Sequence, residues 1–153
     1  MPAGFIAQPD AIAATGAVDL AGAAIDDGHS DATEVLRADG FLGGYQRLWR
    51  TFDGHRLLVE LYRFTSLAGA SAWRDRVVAA DSRTVSAGTP VQQAGPPGAP
   101  GSVLLTVPGA AVARVEFVRD RDVVVVGATA AGPAEAVAIA EQVAAAQFAR
   151  LSG

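Results

Sequence analysis

A chain of 153 residues with a formal charge of −4, half of it hydrophobic, has the length of one ordinary domain. Such a chain buries about 68–70% of its unfolded surface around one core without help from a disulfide or a metal. All of its twelve basic residues are arginines, scattered and never in a run, so the electrostatic footprint of a nucleic-acid binder is missing. The absence of cysteine removes disulfide scaffolds, thiolate zinc sites and cysteine nucleophiles together.

The N-terminal "MPAGFIAQPDAIAATG" has neither a basic n-region nor an unbroken apolar h-region. No later stretch approaches ~18 apolar residues free of charge or turn signals, so a soluble domain without a transmembrane segment is expected. Residues 1–40 read as a helical leader and residues 41–153 as a sheet with helices, together one domain over 1–153. "VDLAGAAIDDG" is a short helix stopped by Gly28 in the left-handed region. "SDATEVLRADG" is a second, with Asp31 as N-cap, Glu34 three residues on and Gly40 as its stop.

The period then changes from helical to alternating. "GYQRLWRTFDGHRLLVELYRF", Gly44 to Phe64, reads as two strands around a two-residue Asp53-Gly54 turn. That turn sets Phe52 opposite His55, Arg50 opposite Leu57, Trp49 opposite Leu58, Leu48 opposite Val59, Arg47 opposite Glu60 and Tyr45 opposite Tyr62. One face would carry Leu48, Phe52, Leu57, Val59 and Leu61 into the core. The other would present Tyr45, Arg47, Trp49, Glu60 and Tyr62, and these five are the candidate binding residues. Rings with polar tips would form the wall of a shallow site, and Arg47 would fix an anionic group. Two blander readings stand beside this one. The face is a wetted sheet surface on which Arg47 pairs with Glu60 over Trp49, or the N-terminal helices cover it and its aromatics become a second core layer.

Beyond the hairpin, a helix is expected from about Ser66 to Ala80, with Ser66 as N-cap and Ala70, Trp73, Val77 and Ala80 on one stripe. "TPVQQAG", "SVLLTV", "AAVARVEFV" and "VVVVGATA" read as strands. The four consecutive valines of the last imply a central strand covered on both faces. Gly132-Pro133 opens a long helix to about Leu151, with Pro at its first position, Glu135 in the first turn and Arg150 in the last. Val137, Ala140, Ala144, Phe148 and Leu151 share the face that should close over the sheet. The expected class is α+β: a mostly antiparallel sheet of five to six strands packed against the internal and C-terminal helices, with helices segregated to one face or end.

Little in the chain carries chemistry. "DDGHSDATE" gathers Asp26, Asp27, His29, Asp31 and Glu34, but it lacks the twelve-residue EF-hand pattern, and capping accounts for Asp31 and Glu34. A histidine acid or base must be His29 or His55, the two in the chain. There is no Gly-x-Ser-x-Gly elbow. "GATAAGPAEA" lacks the glycine spacing of a nucleotide loop. No catalytic residue, metal ligand or cofactor is assigned.

"GFLGGYQRLWR", "LLVELYRFTSLAGASAW" and "VVVVGATAAGPAEAVAIAEQVAAAQFARL" resemble small exported or lipoprotein-type α+β domains of actinobacteria over residues 40 to 151. The resemblance implies a cell-envelope location and a binding or accessory role; a cytoplasmic location is the alternative. The leading expectation is a non-enzymatic domain that recognises a small molecule or a protein through the aromatic hairpin face. A small hydrolase using carboxylates or His55 is the second reading, and a self-associating structural subunit the third.

Overall fold

The computed structural model describes residues 1–10, 15–84 and 91–151. Two short strands, β1 (Ile6–Ala7) and β2 (Gly16–Val18), precede helices α1 (Leu20–Asp27) and α2 (Ala32–Ala38). The hairpin strands β3 (Phe41–Arg50) and β4 (Arg56–Phe64) lead into helix α3 (Leu67–Thr84). Strands β5 (Val91–Ala94), β6 (Val103–Thr106), β7 (Val112–Arg119) and β8 (Asp122–Thr129) follow, and helix α4 (Pro133–Arg150) closes the chain.

The strands form one antiparallel sheet in the order β1-β3-β4-β8-β7-β6-β5, with β2 also paired to β3. The class is α+β, but the sheet has eight strands where the sequence predicted five to six. The additional strands, β1 and β2, lie in the segment read as wholly helical. Both are too short to show an alternating pattern, and both exist because the edge of β3 offers them backbone partners.

The helices lie on both faces of the sheet rather than on one. β8 lies between β4 and β7, and Val123, Val124, Val125 and Val126 are all buried, as the valine run predicted. Val124 and Val126 face α4, whose Ala136, Ile139, Ala140, Val143 and Ala144 pack there with Leu57, Val115 and Phe117. Val123 and Val125 face the opposite layer, with Val18, Ala23, Leu36, Tyr62, Phe64, Ala70, Trp73 and Val77. Each side chain of that size contributes about 1.5–3 kcal/mol on burial.

Local signals placed the helices well. Asp19 caps α1 by accepting from Gly22 N–H at 2.9 Å, and Gly28 ends it at φ 74°. Ser66 Oγ accepts from Gly69 N–H at 3.1 Å at the start of α3. Asp31 occupies the N-cap position of α2 but makes no side-chain cap bond; its carboxylate is held by Arg76 instead.

The hairpin register departs from the sequence reading by one residue. Thr51 and His55 face each other with three residues between them, Thr51 N–H donating to His55 O at 3.1 Å and Gly54 N–H to Thr51 O at 3.2 Å. Gly54 has φ 91°, as a three-residue loop with a left-handed glycine requires. Thr51 Oγ1 fixes the loop, accepting from His55 N–H at 2.9 Å while its own proton goes to Asp53. The strands therefore pair Arg50 with Arg56, Trp49 with Leu57, Arg47 with Val59, Gln46 with Glu60 and Tyr45 with Leu61. Every side chain of β4 is flipped relative to the predicted faces.

Candidate functional site

The flip divides the five predicted site residues. Tyr45, Arg47 and Trp49 share the α4 side of the sheet with Leu57, Val59 and Leu61. Tyr45 is exposed, Trp49 packs at the margin of the core, and Arg47 donates to Asp10 at 3.1 Å and to the Tyr45 hydroxyl at 3.2 Å. Glu60 and Tyr62 lie on the other face, 7% and 1% exposed. The predicted Arg47–Glu60 pair and the single aromatic surface are thus corrected. The covering of one hairpin face by N-terminal helices, weighed in the sequence as an alternative, is what befalls Tyr62 and Phe64.

On that covered face the sheet carries a polar row. Gln46 stands opposite Glu60, Glu60 opposite Val125, and Val125 opposite Glu116. Gln46 Nε2 donates to Asp26 Oδ2 at 2.6 Å and to Glu60 Oε1 at 3.1 Å, and lies 2.9 Å from the Tyr62 hydroxyl. The Tyr62 O–H has Asp26 Oδ2 at 2.7 Å and Glu60 Oε1 at 3.3 Å. Two acceptor-only carboxylates oblige the amide nitrogen and the phenol to turn their protons toward them. Burial, with the Glu60 and Asp26 charges added, pushes the Tyr62 phenol far above its ordinary value, so it remains a donor. At the far end of the row Arg114 Nε sits 2.8 Å from Glu116 Oε1, and its NH2 group 3.7 Å from Glu60 Oε2.

Beside this row lies a cavity of about 200 Å³. Its polar wall is Asp26, Glu60 and Arg114, its aromatic wall Tyr62 and Trp73, and Leu58 and Val77 complete it. The Tyr62 and Trp73 rings are 4.6 Å apart and tilted by 54°. Trp73 is 1% exposed, and its indole N–H has no hydrogen-bond partner among the described residues. The space has a cause in the sequence. Gly127 on β8 pairs with Leu58 on one side and Arg114 on the other, so it faces the same way as both, and nothing lies within 4 Å of where its Cβ would stand. A side chain there would occupy the floor between two cavity residues.

Helix α1 brings Asp26 to this site because the next residue anchors it elsewhere. Asp27, buried, receives Arg76 of α3 through Nε at 2.8 Å and NH2 at 3.1 Å. It also lies against His29, whose N–H donates at 3.2 Å and whose Nδ1 is 3.0 Å away. Arg76 NH2 reaches Asp31 as well. Burial raises the Asp27 carboxyl, but the Arg76 and His29 contacts outweigh it and hold the group below its ordinary value. The acidic "DDGHSDATE" stretch is therefore largely a clamp that joins α1 and α2 to α3. Its dense charge was legible in the sequence; its distant partner Arg76 was not.

His55, the other titratable candidate, borders a wider and more open depression of about 580 Å³ with Phe5, Phe52 and Glu135. It lies 3.6 Å from Asp53 and 3.8 Å from Glu135. Phe52, expected in the core, is 99% exposed at the hairpin tip.

The fold resembles one described crystallographically: the extracellular domain of PknH from Mycobacterium tuberculosis, with a TM-score of 0.56 and 15% identity over 84% of this chain and 74% of that one. At that identity the likeness shows the fold alone. No family model and no curated protein matches the chain. Among the described residues no helix is long and apolar enough to cross a membrane.

Proposed function

We propose that this domain is a non-catalytic module of the cell envelope that binds a small molecule in the cavity between β4, β7, α1 and α3. One observation carries the reading. A sheet face packed under helices, where stability alone favours aliphatic side chains, instead holds Gln46, Glu60, Tyr62, Arg114 and Glu116, and Glu60, Tyr62 and Arg114 line a cavity beside them. Burying such groups costs free energy, and an apolar set of similar shape is commonly as stable or more so. The two lining carboxylates, Asp26 and Glu60, are engaged by Gln46 and Tyr62, and His55 borders a different depression, which favours recognition over the hydrolase reading. Similarity in fold to an extracellular domain supports the location.

The test uses Gly127→Phe, which fills the floor of the cavity at a position with open space and an unstrained backbone. Wild type and variant are incubated with a bacterial metabolite extract, desalted, denatured and analysed by mass spectrometry. A compound retained by the wild type and lost from the variant supports the reading. Identical profiles refute it.

A second reading, self-association through Tyr45, Arg47 and Trp49, is favoured by their position on β3, because α4 packs over β7 and β8. A dimer in sedimentation equilibrium that Tyr45→Asp dissociates would support it; a monomer at every concentration would refute it.

A further inference from the structure

We infer that the end of the sheet around the β3–β4 loop docks on an anionic lipid surface, with Phe52 in its apolar boundary and Arg50 and Arg56 at the headgroups. The strand register assembles this end. Ile6 of β1, Arg50 of β3, Arg56 of β4, Thr129 of β8 and Val112 of β7 stand opposite one another in turn. Their side chains therefore form one row, on the face that α1 and α3 cover further along. At this row the cover has ended: Ile6 is 50% and Val112 45% exposed, and both arginines are exposed. Strands at ~4.8 Å spacing make the row about 19 Å wide.

The arginine pair supplies charge without a partner. Thr51 N–H bonds His55 O, so Arg50 and Arg56, one step along the ladder, oppose each other in a non-hydrogen-bonded pair, the closer of the two kinds. Like charges placed in this way are destabilising. Arg47, Arg63 and Arg76 each have a carboxylate partner, whereas among the described residues neither Arg50 nor Arg56 has one. Anionic headgroups offer the missing counter-charge, spread over a plane that both guanidiniums reach together.

The apolar groups at this end select a bilayer over a protein. Phe52 stands 99% exposed at the tip of the loop between the two arginines. The neighbouring connections, residues 107–111 and 130–132, contain no charged residue. A ring that projects from a tight loop requires a shaped pocket in a rigid protein partner, whereas a fluid acyl boundary accepts it without one. Asp53, 70% exposed beside Phe52, opposes the contact; its carboxylate accepts from the Thr51 hydroxyl within the loop.

The test is flotation with vesicles of phosphatidylglycerol and phosphatidylcholine, and with vesicles of phosphatidylcholine alone. Tryptophan emission of Phe52→Trp, which shifts to the blue when the introduced ring enters the acyl boundary, is the second readout. Expected are binding to the anionic vesicles with that blue shift and weakening by salt. Arg50→Gln and Arg56→Gln should each weaken binding about fivefold and Phe52→Ala about tenfold, all three with the urea midpoint of wild type. Asp53→Asn should strengthen binding, and Gly127→Phe should leave it unchanged.

Anionic vesicles left unbound, equal binding to phosphatidylcholine alone, or wild-type binding by Phe52→Ala or by the double arginine variant overturns the inference. A dimer in sedimentation equilibrium that Phe52→Ala dissociates, with vesicles unbound, assigns the surface to a second copy and overturns it too. Displacement of the vesicles by inorganic phosphate at constant ionic strength assigns the arginines to a free anion, with the same result. The cavity ligand stands or falls separately, on the extract profiles of wild type and Gly127→Phe.

Discussion

The Arg76–Asp27 clamp should be one of the most sensitive side-chain pairs on the face of the sheet that α1 and α3 cover. In Arg76→Met the aliphatic stem is kept while the guanidinium leaves a carboxylate that is 1% exposed. Breaking a buried pair in this way costs about 3–5 kcal/mol. Two features reduce that figure here: His29 still donates to Asp27, and Arg76 is itself 22% exposed. Its bond to the exposed Asp31 adds little, because water screens it. The expected loss is about 2–3 kcal/mol, or ~5–10 °C in melting temperature for a domain of this size. Asp27→Asn, which keeps the shape and removes the charge, should cost about 1–2 kcal/mol.

Urea unfolding of the two single variants and the double variant then measures the coupling. A value of ~1.5 kcal/mol or more is expected for a pair in direct contact. Since the folded carboxyl lies below its ordinary value of 3.8, its stabilising share is complete above about pH 5 and is lost as pH falls through the depressed folded value. The gap between wild type and Asp27→Asn should therefore shrink as the titration moves from pH 6 to pH 3. Single-variant losses that sum to the double-variant loss within ~0.5 kcal/mol, or a gap that widens in acid, would refute the clamp.

Four further substitutions test the packing and the hairpin. A Cβ on Gly69 would stand 1.9 Å from the Asp39 carbonyl oxygen, a clash with backbone, so Gly69→Ala should cost at least about 1–3 kcal/mol in urea unfolding in spite of the better helix propensity of alanine. Phe52→Ala should stay within ~0.5 kcal/mol of wild type and Phe117→Ala, with its ring buried beneath α4, should lose about 3–5 kcal/mol; the predicted two-residue turn would have made Phe52 a core residue as well. Thr51→Val keeps the volume but removes the hydroxyl that holds the hairpin loop, and a loss of about 1 kcal/mol in the same assay is expected.

Signals confined to one element were legible in the sequence. Gly28 and Ser66 mark the helix ends expected of them, the Trp73 stripe faces inward, and the valine run is buried on both sides because four apolar residues in a row leave a strand no polar face. Signals that depend on partners far along the chain were not legible. β1 and β2 exist by pairing to β3, and Arg76 meets Asp27 across 49 positions. Nothing in an Asp-Gly pair by itself separates a two-residue loop from a three-residue one. That choice was made by the Thr51 hydroxyl, whose bond to His55 N–H closes the longer loop.

That one residue of loop also decides where the candidate site is built. With the shorter turn, β4 would present Leu57 and Leu61 to the same layer as Leu48, and Glu60 and Tyr62 would share a face with Arg47 and Trp49. With the longer turn, Glu60 and Tyr62 face α1 and α3 beside Gln46, so Glu60 becomes one member of a row running to Arg114 and Glu116. Asp26 can join that row because Asp27 ties α1 to α3, and the gap at Gly127 leaves volume beside it. Register, clamp and missing side chain are three independent features of the sequence, and the cavity requires all of them. Their coincidence at one place is a stronger argument for a ligand than any one of the buried polar groups would be alone.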